Sequence, residues 1–419
     1  MKKKSIKRWL CLGTAALFAF CCINTGYSSA EELGYGSSNT SDQASFGSGS
    51  EGIESEKETS SRSSGTWEQS PDGRWRYRYS NGTYATNTWE YINGKWYHFD
   101  SNGWMQTGWL LDGGKWYFLK PSTGAMVTGW YKVQQKWYFF KPSGAMVTGW
   151  HNVQGYTYFF DSEGEYHPST RRALIVGMDR SCALDVDGWS SCLSEMTFKQ
   201  EQFETVQTLV GPTEQQFRNK ISSIMHDATE SDITYLCITG KCDRDGNITI
   251  GKIPNPQDPE NPIETTISGE TLHSILEDEA GKVVLFLSCD YSGTIIDRGD
   301  SVYPDVAFMD SFINETRSGE LAEDKYIVIC SSESDELSAS YPFENSSSYY
   351  SKANVIWLSA GGWDPLYNGN LLAMYADYNN NSIVSLDELN TYSLSHISEQ
   401  HVVIYSEDSC SEFTIYARN

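Results

Sequence analysis

Tryptophan recurs along this chain with a fixed period. Trp67, Trp89, Trp109, Trp130 and Trp150 are separated by 22, 20, 21 and 20 residues, and ten of the 14 tryptophans lie between Trp67 and Trp150. Such a period belongs to a stacked array of small units, not to one closed core. The units read GTWEQSPDGRWRYRYSNGTYATN, TWEYINGKWYHFDSNGWMQT, GWLLDGGKWYFLKPSTGAMVT, GWYKVQQKWYFFKPSGAMVT and GWHNVQGYTYFFDSEGEYHPS. Within a unit, a turn such as Asn93-Gly94 or Gly113-Gly114 precedes an alternating aromatic strand such as KWYFL. A second turn, Asn102-Gly103 or Thr123-Gly124, closes it. Each unit is predicted to be one β-hairpin. A lone hairpin is barely stable in water, so neighbours must stack to bury their aromatic faces.

Over residues 65–169, GW, KWY(F/Y) and the G-x-M-x-T-GW junction recur in phase. In this the units resemble the choline-binding, or cell-wall-binding, repeats of Gram-positive surface proteins, which also occur in glucan-binding proteins. The resemblance implies a left-handed solenoid of hairpins with ligands between neighbours, caged by the tryptophans of the GW and KWY elements and an aromatic of the next repeat. Trp89, Trp96, Trp109, Trp116, Trp130, Trp137 and Trp150 occupy those places. Quaternary ammonium cannot donate hydrogen bonds, whereas aromatic faces attract it with about 0.5–2 kcal/mol per contact. The alternative is that the rings only fill the solenoid core. The first and last units look degraded, since Arg76 and Arg78 interrupt the first and Thr157 replaces the second tryptophan of the last. Both read as caps.

The ends of the chain bear on where such an array works. Residues 1–30 carry five basic side chains and no acidic one, then an apolar run from Leu10 to Ile23, then Ser28-Ser29-Ala30. That is the pattern of a signal peptide cut after Ala30. The apolar run is shorter than the ~20 residues that span a bilayer, which argues against an uncleaved anchor; the bulky Phe18-Ala19-Phe20 argues against lipidation of Cys21. No later segment is apolar enough to span. Residues 31–64 are almost all Ser, Gly, Glu and other polar types, with too little apolar surface to offset ordering entropy, and read as a disordered tether. Beyond the leader, 26 basic residues face 55 acidic ones. That surplus repels phosphate backbones and excludes nucleic acid as a partner, while tolerating cations. The expected location is the cell wall or cell surface of a Gram-positive-type bacterium.

From residue 170 the pattern changes to alternating strand and helix signals. ALIVGM (173–178), VQTLV (206–210), DITYLCIT, KVVLFLSC and KYIVICSS read as buried strands. TEQQFRNKISSIMHDAT places Phe217, Ile221, Ile224 and Met225 on one helical face with Thr213 as N-cap, and a short helix surrounds Leu272 to Leu276. This alternation predicts a mainly parallel sheet covered on both faces, with functional residues at the carboxyl ends of its strands.

The strings TGKCDRDG (239–246), KVVLFLSCDYSG (282–293), ICSSESDELS (329–338) and ADYNNNSIVSLDEL (376–389) resemble, in order and wording, the caspase-like cysteine peptidases of clan CD, the group of caspases, legumains and clostripains. The resemblance covers nearly all of 170–419 and implies a multidomain chain: a hairpin solenoid followed by an α/β caspase-like domain. It also implies a lost dyad. That chemistry needs a thiolate beside an imidazole, yet the histidine position holds Lys241 and the nucleophile position Asp290. With one residue inserted before Tyr291, Cys289 becomes the nucleophile of an active endopeptidase, but no histidine stands beside it in the sequence: His226 and His273 fall on helices, and His396 and His401 follow the closing loop. Lys241 and Asp290, on neighbouring strand ends, are expected to form an ion pair that preserves a loop arrangement without adding much stability; the alternative is that both face water.

Seven cysteines follow the leader. Cys242 with Cys289, and Cys182 with Cys192, are candidate disulfides; unpaired core thiols are the alternative. No CxxC pair exists, which argues against zinc. Residues 377–388 match a twelve-position calcium loop, with Asp377, Asn379, Asn381, Ile383 through its carbonyl, Ser385 and Glu388 as ligands. Ser382 replaces the turn glycine and two asparagines replace aspartates, so calcium would bind weakly, and a metal-free turn into a helix is the alternative. No cofactor is required. The sequence as a whole describes an exported protein that binds wall teichoic-acid choline or glycan through aromatic repeats and displays a pseudo-peptidase domain, with an active wall-associated peptidase and a glucan-binding adhesin as alternatives.

Overall fold

The computed structural model describes residues 64–198, 202–292, 325–332, 337–338, 340–342, 349–364, 370–371, 374–397, 402–405 and 412–418. The leader 1–30, nearly all of the tether 31–64, His401 and Cys410 lie outside the described residues. Five hairpins follow one another: β1 (Gly65–Gln69) with β2 (Trp75–Tyr79), β3 (Thr88–Ile92) with β4 (Lys95–Phe99), β5 (Gly108–Asp112) with β6 (Lys115–Leu119), β7 (Gly129–Val133) with β8 (Lys136–Phe140), and β9 (Gly149–Val153) with β10 (Tyr156–Phe160). The turns of the last four are the two-residue kind in which both central residues have positive φ, as at Asn93-Gly94 (51° and 83°), while β1 and β2 are joined by the longer turn 70–74.

Stacking comes from the segment after each second strand, which reaches back to the preceding hairpin. Met105 N donates to Trp75 O, Met126 N to Trp96 O and Met146 N to Trp116 O, at 2.7–2.8 Å. The methionine side chain then fills the space over a glycine of the following unit. A Cβ at Gly124 would collide with Met105 Sδ, and one at Gly144 with Met126 Sδ, which is why the G-x-M spacing recurs. Phe99, Leu119, Phe140 and Phe160, one in each of the last four units at the end of the second strand, are fully buried. Each contributes about 2–3 kcal/mol of apolar burial.

The second part is built on a six-stranded sheet. A short strand β11 (Tyr166–His167) closes the array, and then β12 (Arg171–Gly177), β13 (Thr205–Val210), β14 (Ile233–Thr239), β18 (Lys282–Ser288) and β19 (Tyr326–Cys330) run parallel in the order β13-β12-β14-β18-β19, with Val403–Tyr405 antiparallel at the edge. Between β14 and β18, a separate antiparallel layer comprises β15 (Lys241–Cys242), β16 (Ile248–Ile253) and β17 (Ile263–Ile267). The parallel sheet and all five of its predicted strands match the expectation.

Alternation along each strand divides the sheet into two cores. Ile175, Tyr235, Phe286 and Ile329 face Trp189 of helix α1 (Ala183–Ser194) and Trp357 of the helix Lys352–Ala360. Val176, Leu236, Leu285 and Val328 face Phe217 and Ile221 of α2 (Glu214–Met225) and Leu272 of α3 (Gly269–Leu276). Thr213 caps α2 as expected, in a capping box with Gln216.

The last hairpin is tied to the sheet domain. Thr157 and Thr414 exchange hydrogen bonds, each backbone N–H donating to the other's Oγ1 at 2.9 Å. Asn152 Nδ2 donates to Glu412 O at 2.7 Å, and Trp150 and Tyr156 pack against the first of the two cores.

Candidate functional site

Between consecutive hairpins the rings form a repeated constellation. In the third unit Trp109 and Trp116 stand 6.2 Å apart at 89°, and Tyr138 of the next hairpin closes on Trp109 at 5.0 Å. The first unit repeats it with Trp67 and Trp75 at 6.4 Å and Tyr97 at 4.9 Å. Trp89 meets Tyr117, and Trp130 meets Tyr158, each at 5.0 Å. The methionine bonds described above bring Met105, Met126 and Met146 to the second tryptophan of the first three cages; in the fourth, Tyr166 approaches Trp130 at 5.3 Å.

Exposure fits these rings for binding. Trp75, Trp109 and Trp116 are exposed by 38%, 39% and 45%, while the tyrosine walls are buried or, at Tyr97, half-buried. Burial raises the phenols of Tyr97 and Tyr138 above the ordinary tyrosine range, so these walls stay neutral and act through ring quadrupoles. The cages differ in detail. Trp89 Nε1 donates to Asp112 Oδ2 at 2.7 Å, which fixes the indole and sets a carboxylate beside the second cage. Tyr91 adds a ring 5.2 Å from Trp96. In the fourth, Lys132 Nζ lies 5.5 Å over Trp137.

The first and last units depart from the expected pattern of rings. In β1–β2 the register sets Trp67 opposite Tyr77 and Gln69 opposite Trp75, leaving Arg76 opposite Glu68. Alternation therefore puts Arg76 and Arg78 on the other face. Arg76 stacks on Tyr84 at 4.1 Å and Arg74 on Trp104 of the second unit at 4.0 Å, while Trp67 and Trp75 keep their contact. The period-2 pattern of WRYRY carried that signal. Trp150, expected in the ligand set, instead packs against Phe159 at 5.2 Å and Phe413 at 5.7 Å.

Two stretches, residues 85–128 and 127–166, match the family model of the choline-binding repeat. Residues 85–166 are choline-binding repeats. Among solved structures, choline-binding protein F from Streptococcus pneumoniae is 39% identical over 25% of this chain and 36% of that one, with a TM-score of 0.24. CbpJ from Streptococcus pneumoniae TIGR4 is 40% identical over 25% and 35%, TM-score 0.23. The multimodular pneumococcal cell-wall endolysin from phage Cp-1, complexed with choline, is 44% identical over 26% and 32%, TM-score 0.23. The chain thus spans about a third of the length of these structures. No curated protein matches it.

At the strand ends of the α/β domain the structure corrects the ion-pair expectation. Lys241 is exposed and pairs with Thr249 in the antiparallel layer, while Asp290 accepts a hydrogen bond from Ser338 N at 2.8 Å. No ion pair joins them, because the lysine belongs to a different sheet and a loop amide already serves the carboxylate. Cys289 is buried, and burial, reinforced by a hydrogen bond with Cys242, holds its thiol well above the usual range. Among the described residues, Cys242, Cys330 and Asp290 act on it. His273 lies near Tyr326 at the amino end of β19, His226 is exposed, and His396 stacks on Tyr392. The six described cysteines are all free, so neither candidate disulfide is formed.

At the carboxyl ends of β14 and β18 the domain has a buried polar network. Both oxygens of Asp185 accept from Ser351 N at 3.2 Å, Ser351 Oγ accepts from Ser288 Oγ, and Asn354 links Trp189 Nε1 (3.0 Å) to Thr239 Oγ1 (2.9 Å). Burial pushes the Asp185 carboxyl up to about 7.

In the loop 377–388, Asp377 accepts from Asn381 N and Ser382 N, Asn381 Oδ1 from Ile383 N, and Glu388 from Asn379 Nδ2 and Ser385 N, at 2.9–3.0 Å. Ser382 takes the left-handed turn at φ 65° despite having a side chain. These oxygens already accept from amide groups, with which a cation would compete. Among the described residues no helix is long and apolar enough to cross a membrane.

Proposed function

We propose that this protein is exported, attaches noncovalently to the wall of a Gram-positive-type bacterium by binding choline of teichoic acid, and displays a caspase-like domain that does not cut peptides. The observation that carries the reading is the repeated, solvent-open cage of two tryptophans and a neutral tyrosine, which suits a cation that offers no hydrogen-bond donor. Free choline should elute the protein from intact cells. Elution by soluble glucan but not by choline would favour the adhesin reading instead.

The pseudo-peptidase reading has two supports: the strand order agrees with the quoted motifs, and the one cysteine at the nucleophile's place is a buried, protonated thiol. A peptide-based thiol probe should leave Cys289 unlabelled; labelling that disappears in Cys289→Ala would establish the peptidase. Calcium at Asp377, Asn379, Asn381, Ile383, Ser385 and Glu388 would be a weak structural ion, since those oxygens are already engaged.

A further inference from the structure

The fifth unit has no following repeat, so nothing in the array itself can complete a cage on Trp150. The α/β domain supplies the missing parts. Phe413 stands 5.7 Å from Trp150 at 65°, the edge-on arrangement that Tyr97, Tyr138 and Tyr158 make with Trp67, Trp109 and Trp130. The ammonium of Lys282 lies 5.7 Å over Trp150 and 5.2 Å over Phe413, and this lysine is only 1% exposed. An ammonium between two rings has the same electrostatics as choline in an aromatic cage.

Thr157 fits the same scheme. It occupies the place of Trp75, Trp96, Trp116 and Trp137 in the other units, and the reciprocal hydrogen bonds between Thr157 and Thr414 need a short side chain there. Thr414 Oγ1 donates in addition to Gly155 O at 2.7 Å. A tryptophan at 157 would keep the strand Thr414–Ala417 from approaching.

We infer that the fifth aromatic site is filled by the chain's own lysine: Lys282 takes the part of the ligand and Phe413 that of the next repeat, so the α/β domain is held on the array as a rigid end-piece. The array then offers four sites to external cations, and the orientation of the displayed domain does not depend on wall ligand. This extends the choline reading, but its test uses no choline and so fails or succeeds separately.

The test is a double-mutant cycle in the full chain with Trp150→Leu, Lys282→Met and the pair, read by urea unfolding. The two substitutions should be non-additive by about tenfold in the unfolding constant; additivity within error would overturn the assignment. Hydrogen exchange in the wild-type chain gives a second reading that needs no variant to fold. The amides of Thr157 and Thr414 should exchange as slowly as those of β18, and exchange at the rate of an open loop would overturn it.

Discussion

Trp116 lies at a rim and Phe140, in the next hairpin, is wholly buried, so truncating each tests a different property. Trp116→Ala should lower choline affinity at its cage by roughly tenfold, about 1–2 kcal/mol, with little change in melting temperature. Phe140→Ala should cost about 3–5 kcal/mol of stability through the lost burial and the cavity left behind. Calorimetric titration and thermal denaturation separate the two. Asp185 makes a prediction of opposite character. Its carboxyl is pushed up to about 7 by burial, from 3.8 in the unfolded chain. The folded state therefore binds the proton more tightly, and the stability this group contributes is fully present below about pH 4, falls as pH rises towards 7 and is gone above that. Asp185→Asn should remove that slope and be the more stable form at pH 8, as measured by urea denaturation at pH 5 and pH 8. Nothing in the sequence distinguished Asp185 from the chain's other carboxylates, because its burial is created by Ser351 and Asn354, which arrive from over 160 residues away.

At the scale of elements, the β7–β8 turn is built from Gln134 and Gln135, at φ 48° and 71°, where the other hairpins use at least one glycine or a longer turn. Two side chains in the left-handed region are strained. Replacing the pair by Asn-Gly should stabilise the chain by about 1 kcal/mol, read as a higher urea midpoint at unchanged slope. Hairpins, parallel strands and the capped helix α2 were all legible in the sequence, because each rests on a local period or a local cap. The antiparallel layer β15–β17 was not. Its strands interrupt the alternation of strand and helix, and only tertiary pairing tells Lys241 and Cys242 from a continuation of β14. The same gap produced the expected Lys241–Asp290 ion pair, which supposed two adjacent ends of one sheet. Arg76 and Arg78 alternate away from Trp67 and Trp75, a consequence of the β1–β2 register. Trp150 was assigned from its position in the repeat, and no local feature could announce Phe413 and Lys282.

For the whole molecule, the solenoid is a one-dimensional stack whose units support their neighbours. Arg74, stacked on Trp104, ties the first unit to the second, and the α/β domain closes the last through Thr414, Glu412 and Phe413. Four cages remain between. A ligand that binds only the folded state stabilises it by mass action, by about 2.7 kcal/mol per site at a hundredfold excess over Kd. The measurement that decides is calorimetric titration of the full chain with choline. Saturable uptake of about four equivalents is predicted from the four cages, one of them bound roughly tenfold more weakly in Trp116→Ala. Absence of saturable heat, or an isotherm for Trp116→Ala identical to that of the wild-type chain, would contradict the cages as choline sites.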